Sequence, residues 1–397
     1  MPSHQTNNAL AVVAMAGILG GVFALQKVSK LESETQGPSV IATNEAGDVL
    51  LGARHLLFLV PSGKPIERIE LETLGLVGPV VGLGSDGKDW FVADDDSGTV
   101  HRCDLAAKAY RPALAPSAER WLRRTAKLAF APDRIFVTDT ERHRLLAFDA
   151  AGKPLGASRT APIALCFPNG VRAYDGGLLV ADTNNHRIAW VDPATDFASE
   201  TFLHVAGSPE VTKAQCSDAS LALGERGDAA LNTLVDAAGG APSFAISGAR
   251  PGRTWPTAVL PVMTRAGPNY WVIVADNGMR DGDVLVFSDE SDLPKKVRLP
   301  ADADPIELAQ LGDKLLITDP TRMRVYASPI EMAAQVDEPL SADWDAAGVS
   351  ATFNEQRSQR AVYRLGRFGA TGGIGLGVLL ALVVFVLERR RQMAEGF

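Results

Sequence analysis

Residues 178–192 read LLVADTNNHRIAWVD. An apolar run ends in Ala181-Asp182, a polar stretch follows, and a second alternating apolar run leaves it. Period-two alternation on both sides of a polar turn is the signature of a β-hairpin. Asp and Asn suit the turn because their side chains bond nearby backbone and they tolerate left-handed geometry. The phrase recurs outward in both directions. Residues 135–149 read IFVTDTERHRLLAFD, 90–104 WFVADDDSGTVHRCD, 272–287 VIVADNGMRDGDVLVF and 315–326 LLITDPTRMRVY, with a degraded copy, VLLGARHLLFLV, at 49–60.

A further short strand precedes each pair, as in PNGVRAYDGG (168–177), AKLAFAPD (126–133) and GPVVGLGSDG (78–87). A fourth, weaker strand follows, as in AGKPLGAS (151–158). Four short antiparallel strands per repeat make a propeller blade. The marker positions are Arg54, Asp94, Asp139, Asp182, Asp276 and Asp319, with spacings of 40, 45, 43, 94 and 43. Blades of this class repeat every ~40–50 residues. The 94-residue gap holds either an unmarked blade or an insertion. Residues 207–250 are rich in Ala, Gly, Ser and Asp and lack a clear strand pair, so an insertion is expected. The fold class is therefore all-β, a six-bladed β-propeller over residues 39–328, with seven blades as the alternative.

VADTNNHRI at 180–188 closely resembles the NHL-repeat consensus, and VTDTERHRL at 137–145 is a near variant. The resemblance covers roughly residues 39–328 and fades at both ends. It implies an open-centred propeller used as a binding platform. Some members of the family are enzymes, including peptide-amidating lyases and strictosidine-synthase-like hydrolases.

Both ends of the chain carry apolar segments. Ala9 to Leu25 is uncharged but short for a span, since a bilayer core needs about 20 apolar residues. A signal peptide is the rival reading, with Val22-Phe23-Ala24 as a cleavage pattern. The preceding MPSHQTNN lacks Lys and Arg, which favours an uncleaved anchor over residues 1–30. Phe368 to Leu387 is a full-length span, followed by Arg389-Arg390-Arg391 in a short basic tail, 388–397. The triplet places that tail in the cytoplasm and the propeller outside, in the periplasm if the source is bacterial. Lys27, Lys30, Arg360, Arg364 and Arg367 flank the spans on the propeller side and argue the other way, but they border a long domain, where the charge rule is weak. Residues 329–367 read as a stalk, helix-compatible from Ser350 onward. Gly369, Gly373 and Gly377, with Gly17 and Gly21, have the four-residue spacing that lets helices approach closely in lipid.

The chain has 397 residues, 46% apolar and 22% charged, with a formal net charge of -8. Those shares describe a folded protein. The acidic balance, with no basic stripe, excludes nucleic acid as an expected partner. Three cysteines, Cys103, Cys166 and Cys216, are not a disulfide scaffold. Three buried thiols is the favoured reading, and a Cys166–Cys216 pair in an oxidising compartment is the other.

His143 and His186 recur four residues after their Asp markers, near Arg142, Arg187 and Arg322. Residues repeated from blade to blade serve the blade, so a structural role is expected for them. Asp94, Asp95 and Asp96 form one acidic turn and Asp276 opens another. Solvated turn carboxylates are the expectation, and calcium the minority reading. No cofactor is expected, and no G-x-S-x-G, phosphate loop or H-E-x-x-H motif is present to carry one. Trp121, beside Arg123 and Arg124, is a candidate partner anchor between blades, and Trp255, Trp271 and Trp344 divide between a binding face and the core. The functional expectation is a protein-binding scaffold or accessory subunit of a membrane complex, its specificity carried by 207–250. The alternative is a metal-dependent hydrolase or lyase with calcium or zinc in the central channel.

Overall fold

A computed structural model of the chain describes residues 4–34, 36–114, 126–158, 165–194, 197–205, 244–246, 253, 255–276, 279–288, 291–331, 344 and 348–394. The chain divides into two bodies, Gly37–Phe353 and a helical one made of Met1–Gln36 with Asn354–Phe397.

The alternating phrases fold as the middle hairpins of six antiparallel sheets. Blade 1 holds β1 (Val40–Thr43), β2 (Val49–Ala53), β3 (Leu56–Val60) and β4 (Glu67–Glu70). Blade 2 holds β5 (Val80–Ser85), β6 (Trp90–Asp94), β7 (Thr99–Asp104) and β8 (Ala109–Pro112). Blade 3 holds β9 (Leu128–Ala131), β10 (Arg134–Asp139), β11 (Arg144–Asp149) and β12 (Pro154–Ala157). Blade 4 holds β13 (Pro168–Tyr174), β14 (Gly177–Asp182), β15 (Arg187–Asp192) and β16 (Ala198–Val205), with β17 (Phe244–Ile246) added in parallel to β16. Blade 5 holds β18 (Trp255–Thr264), β19 (Gly267–Ala275), β20 (Asp283–Ser288) and β21 (Ser291–Val297). Blade 6 has three strands among the described residues, β22 (Glu307–Leu311), β23 (Lys314–Asp319) and β24 (Arg324–Pro329).

The innermost strands β1, β5, β9, β13, β18 and β22 each lie beside the next, and β22 lies beside β1, which closes the ring at six. The 94-residue interval between Asp182 and Asp276 thus separates the turns of consecutive blades.

Alternation also explains the core. Leu178 and Val180 face blade 3, and their neighbours Leu179 and Ala181 face blade 5. Every strand of the middle hairpins is therefore apolar on both sides, and one hydrophobic cluster fills each blade interface. Crowding toward the axis limits side-chain size there. A Cβ on Gly82 in β5 would collide with the carbonyl of Ala126 at the entry to blade 3.

The seam between blades 6 and 1 is built differently. Trp344 donates its N–H to Val325 O at 2.7 Å, on the outer edge of β24. Trp344, Val349 and Phe353 join Phe58, Leu51, Leu316 and Val325 in the seam cluster, with the Phe58 and Phe353 rings 5.1 Å apart. Gly37 packs against the backbone of Pro320 and Met323, where any side chain would collide. Both ends of the propeller body thus sit at this seam. Trp271 and Trp344 are core residues, which removes them from a binding face.

In the helical body, α1 (His4–Glu34) runs antiparallel to α2 (Val349–Ala394), whose first turn belongs to the propeller. Both are long and apolar enough to cross a membrane.

Candidate functional site

In an antiparallel blade the turn between the second and third strands shares a face with the crossover to the next blade. All six marker turns therefore lie on one face of the ring. Trp121, Arg123, Arg124 and nearly all of 207–250 lie outside the described residues.

The marker turns are tied from within. Asp182 is fully buried. Its Oδ1 accepts the Cys166 N–H at 2.6 Å, and its Oδ2 accepts Asn185 Nδ2 at 2.8 Å and Arg187 Nε at 2.7 Å. Asp139 Oδ2 takes Arg142 Nη1 at 3.0 Å and Arg144 Nε at 2.9 Å. Asp319 takes the N–H groups of Arg322 and Asp304 and the Tyr326 hydroxyl. The histidines close their turns in left-handed geometry, at φ 56° for His143 and 52° for His186, and Arg54, Met279 and Met323 do the same in blades 1, 5 and 6.

These residues also fasten neighbouring blades. Thr140 Oγ1 donates to Pro168 O, and Thr183 Oγ1 to Pro256 O, both at 2.7 Å. His143 Nδ1 accepts the Phe167 N–H at 3.0 Å, and the His186 ring lies 4.9 Å from the Trp255 indole. The repeat pairs a Thr-x-x-His turn with an aromatic-Pro step in the following blade.

Burial pushes the His143 imidazole down to about 4. An unfolded histidine titrates near 6.5. Between those values the unfolded chain binds a proton that the native one refuses, so stability is complete above pH 6.5 and falls as the pH drops toward 4. We expect His143→Gln to flatten this decline, measured as the melting temperature against pH, with a difference on the order of 2–3 kcal/mol across the window. Equal slopes for the two proteins would show that His143 does not stay neutral in the native state.

The turn of blade 2 holds a pair that its sequence did not announce. Ser97 Oγ stands 2.9 Å from His101 Nε2, the distance of a nucleophile and its base. His101 is buried, and burial lowers its pKa against the pull of Asp94. Its Nδ1 has no hydrogen-bond partner among the described residues. Burying a bare lone pair costs less than burying an unpaired N–H, so the proton belongs on Nε2 and is donated to Ser97. Serine then accepts and is not activated.

Asp94 is itself buried, and its Oδ1 accepts the Asp96 N–H at 3.1 Å, while the Asp95 N–H donates to Pro79 O at 3.1 Å. Asp276 Oδ1 accepts the Arg280 N–H at 3.0 Å. Both acidic segments are thus engaged in their own turns. Among the described residues no group of three or more His, Cys, Asp or Glu is placed to hold a metal. Cys103 is a free, buried thiol, and burial pushes it up to about 12. Cys166 is disulfide-bonded, which corrects the expectation of three unpaired thiols. The third cysteine, Cys216, lies outside the described residues.

At the ring's centre three non-repeated charges converge from three blades. Lys127 (blade 3) and Glu307 (blade 6) are directly ion-paired, and Arg172 (blade 4) reaches Glu307 Oε1 at 3.0 Å. Arg172 also donates to Leu308 O at 2.9 Å and Val171 O at 2.8 Å. The side chains of Glu307 and Lys127 are only 3% and 9% exposed. Glu307 pairs with both cations, which leaves the cluster with one positive charge in excess, partly satisfied by the Val171 and Leu308 carbonyls.

In the helical body Gly21 packs against Ile374 and the Ala370 carbonyl, and Gly377 against Ile18 and the Ala14 carbonyl. A Cβ placed on Gly17 would stand 3.8 Å from Gly377 Cα and 3.9 Å from the Gly373 carbonyl oxygen, an ordinary contact. A Cβ on Gly369 or Gly373 would meet open space.

With this geometry in hand, residues 165–191 match the NHL repeat as a sequence family. The chain is a six-bladed β-propeller whose fourth blade matches the NHL repeat. The match spans the Cys166, Asp182 and Arg187 cluster of blade 4, the part of the ring where the turn chemistry is most complete. No curated protein matches the chain in sequence. Among solved structures it is similar to a nidogen/laminin complex (12% identity, 75% of this chain and 92% of that one, TM-score 0.48). It is also similar to streptogramin B lyase (12%, 71% and 90%, 0.47) and to PorZ, a surface component of the type-IX secretion system of Porphyromonas gingivalis (13%, 74% and 33%, 0.40). Likenesses of this size say nothing about what the propeller binds.

Proposed function

We propose that this chain is a membrane-anchored NHL-type propeller that acts as a protein-binding scaffold or accessory subunit of a membrane complex. The observation that carries the reading is the channel centre. Its charged side chains are tied into ion pairs and carbonyl hydrogen bonds, which favours the face of marker turns as the surface for a partner. The apolar runs of α1 and α2 support anchoring in a bilayer. The bonded Cys166 supports an extracytoplasmic propeller, since disulfides persist in oxidising compartments. The tail with Arg389-Arg390-Arg391 is then cytoplasmic.

Specificity belongs to 207–250, because long loops in compact domains are commonly functional. The test is affinity capture from mildly solubilised native membrane, comparing the wild type with a chain in which 218–243 is replaced by a short Gly-Ser linker. That replacement keeps Cys216 and β17. The expected result is a stoichiometric protein partner with the wild type, lost from the variant while its melting temperature holds. Wild-type chain that comes alone, with stoichiometric calcium or zinc, would overturn the scaffold reading in favour of channel chemistry.

A further inference from the structure

The helical body carries a cluster of charge that bridges α1 and α2 beyond their apolar runs. Glu32 on α1 is buried, its side chain 11% exposed. It is ion-paired with two guanidinium groups of α2, Arg364 Nε hydrogen-bonding Oε1 at 3.1 Å and Arg367 Nη1 standing 3.1 Å from Oε2 as an ion pair without hydrogen-bond geometry. Their side chains are 56% and 47% exposed, so both remain accessible from outside the helix pair. Arg360 lies one turn further along α2, and its Nε is sequestered without a hydrogen-bond partner among the described residues. One carboxylate thus organises two arginines, with a third adjacent, and positive charge is left over.

Its depth follows from the helix register. Gly21 lies against Ala370 and Ile374, and Gly366 against Val28. The apolar run of α1 therefore ends at Leu25 level with Phe368, where that of α2 begins. Arg367 borders this line and Arg364 is one turn above it. This is the level of lipid phosphates when the two runs fill a bilayer core. Planar guanidinium forks bind phosphate oxygens in bidentate fashion, and a carboxylate that fixes the forks removes the entropy cost of arranging them.

We propose that Arg364 and Arg367, positioned by Glu32 and joined by Arg360, form a binding site for the phosphate of an anionic phospholipid headgroup. The site rests on the membrane reading above. Ordinary interfacial charge differs from it in one decisive respect. If only net charge mattered, removing the carboxylate of Glu32 would strengthen the attraction for anionic lipid. In a positioned site it weakens binding, because the forks lose their template.

The experiment reconstitutes the full chain in nanodiscs of phosphatidylcholine, with or without phosphatidylglycerol, and counts retained lipids by native mass spectrometry. Inorganic phosphate in the lipid-neutral discs tests a free anion as the ligand. Wild type should retain phosphatidylglycerol. Arg364→Gln and Arg367→Gln should each reduce retention on the order of fivefold. Glu32→Gln should also reduce it despite the added positive charge, whereas replacing Arg389, Arg390 and Arg391 with Gln should leave it unchanged. Retention that rises or holds in Glu32→Gln, or that survives loss of both Arg364 and Arg367, overturns the site alone. Equal binding of inorganic phosphate overturns the lipid assignment. A chain that does not enter the discs overturns the membrane reading and the site with it.

Discussion

Glu307→Met is expected to lower the melting temperature of the propeller by roughly 6–15 °C, the equivalent of about 3–5 kcal/mol in a domain of this size. The size of the effect comes from what remains. Lys127 and Arg172 approach the channel centre from blades 3 and 4, and Glu307 is the carboxylate that both contact. Without it, a nearly buried ammonium and a guanidinium are left facing each other, and an uncompensated charge in such a place costs several kcal/mol. The pair as a whole is worth far less than either half, because both ions lost their hydration on folding. Adding Lys127→Met to Glu307→Met should therefore restore most of the loss, since Arg172 keeps the carbonyls of Val171 and Leu308 as acceptors. A single variant that melts like the wild type would mean that water reaches the channel centre and solvates the cations.

The second large effect is expected at Asp182→Ala, again about 3–5 kcal/mol. Arg187 is fully buried and loses the carboxylate that its Nε contacts, and Cys166 N–H and Asn185 Nδ2 lose their acceptor in the same step. Asp94 occupies the equivalent position in blade 2, where its Oδ1 accepts a backbone N–H and Thr99 stands in place of the arginine. Asp94→Ala should cost only about 1–2 kcal/mol, the ordinary price of a lost hydrogen bond at a buried group. Urea unfolding of the two variants side by side checks the difference. Equal losses would show that the stranded arginine is not what makes Asp182 costly.

The blades were legible because their residues are local. A single phrase such as LLVADTNNHRIAWVD contains two strands, the turn between them and the faces they bury. The same locality explains the weaker reading of blade 1, where Arg54 and His55 make a two-residue turn between Ala53 and Leu56 with no acidic marker. The bonds between blades were not legible. Thr140 meets a carbonyl 28 residues away and Thr183 one 73 residues away, and nothing in the turn itself points to them. The channel triad left a fainter signal. Lys127, Arg172 and Glu307 are each a lone charge in or beside the innermost strand of its blade, in AKLAF, NGVRAY and PIELA. Such a charge sits toward the axis only if others meet it there, but one sequence cannot say which blades supply the partners. The Ser97–His101 contact was hidden for a similar reason, since the outcome turns on an Nδ1 with no partner and not on residue type.

The seam between blades 6 and 1 has a mechanical consequence. Each blade is a continuous stretch of chain, and no described strand from one end of the ring is laced into the sheet at the other. Five of the six joints are crossed by the polypeptide itself, whereas the sixth is held by side-chain packing, the Trp344 bond and the close fit of Gly37. The chain also enters and leaves the propeller at this joint. Any tension carried by the two tethers is therefore delivered to the single joint that the backbone does not cross. Under load the ring would peel from blade 6 or blade 1 before any interior interface yields. A force applied through the two ends of the propeller body thus has a predetermined point of rupture, with Trp344 and Phe353 as its clasp.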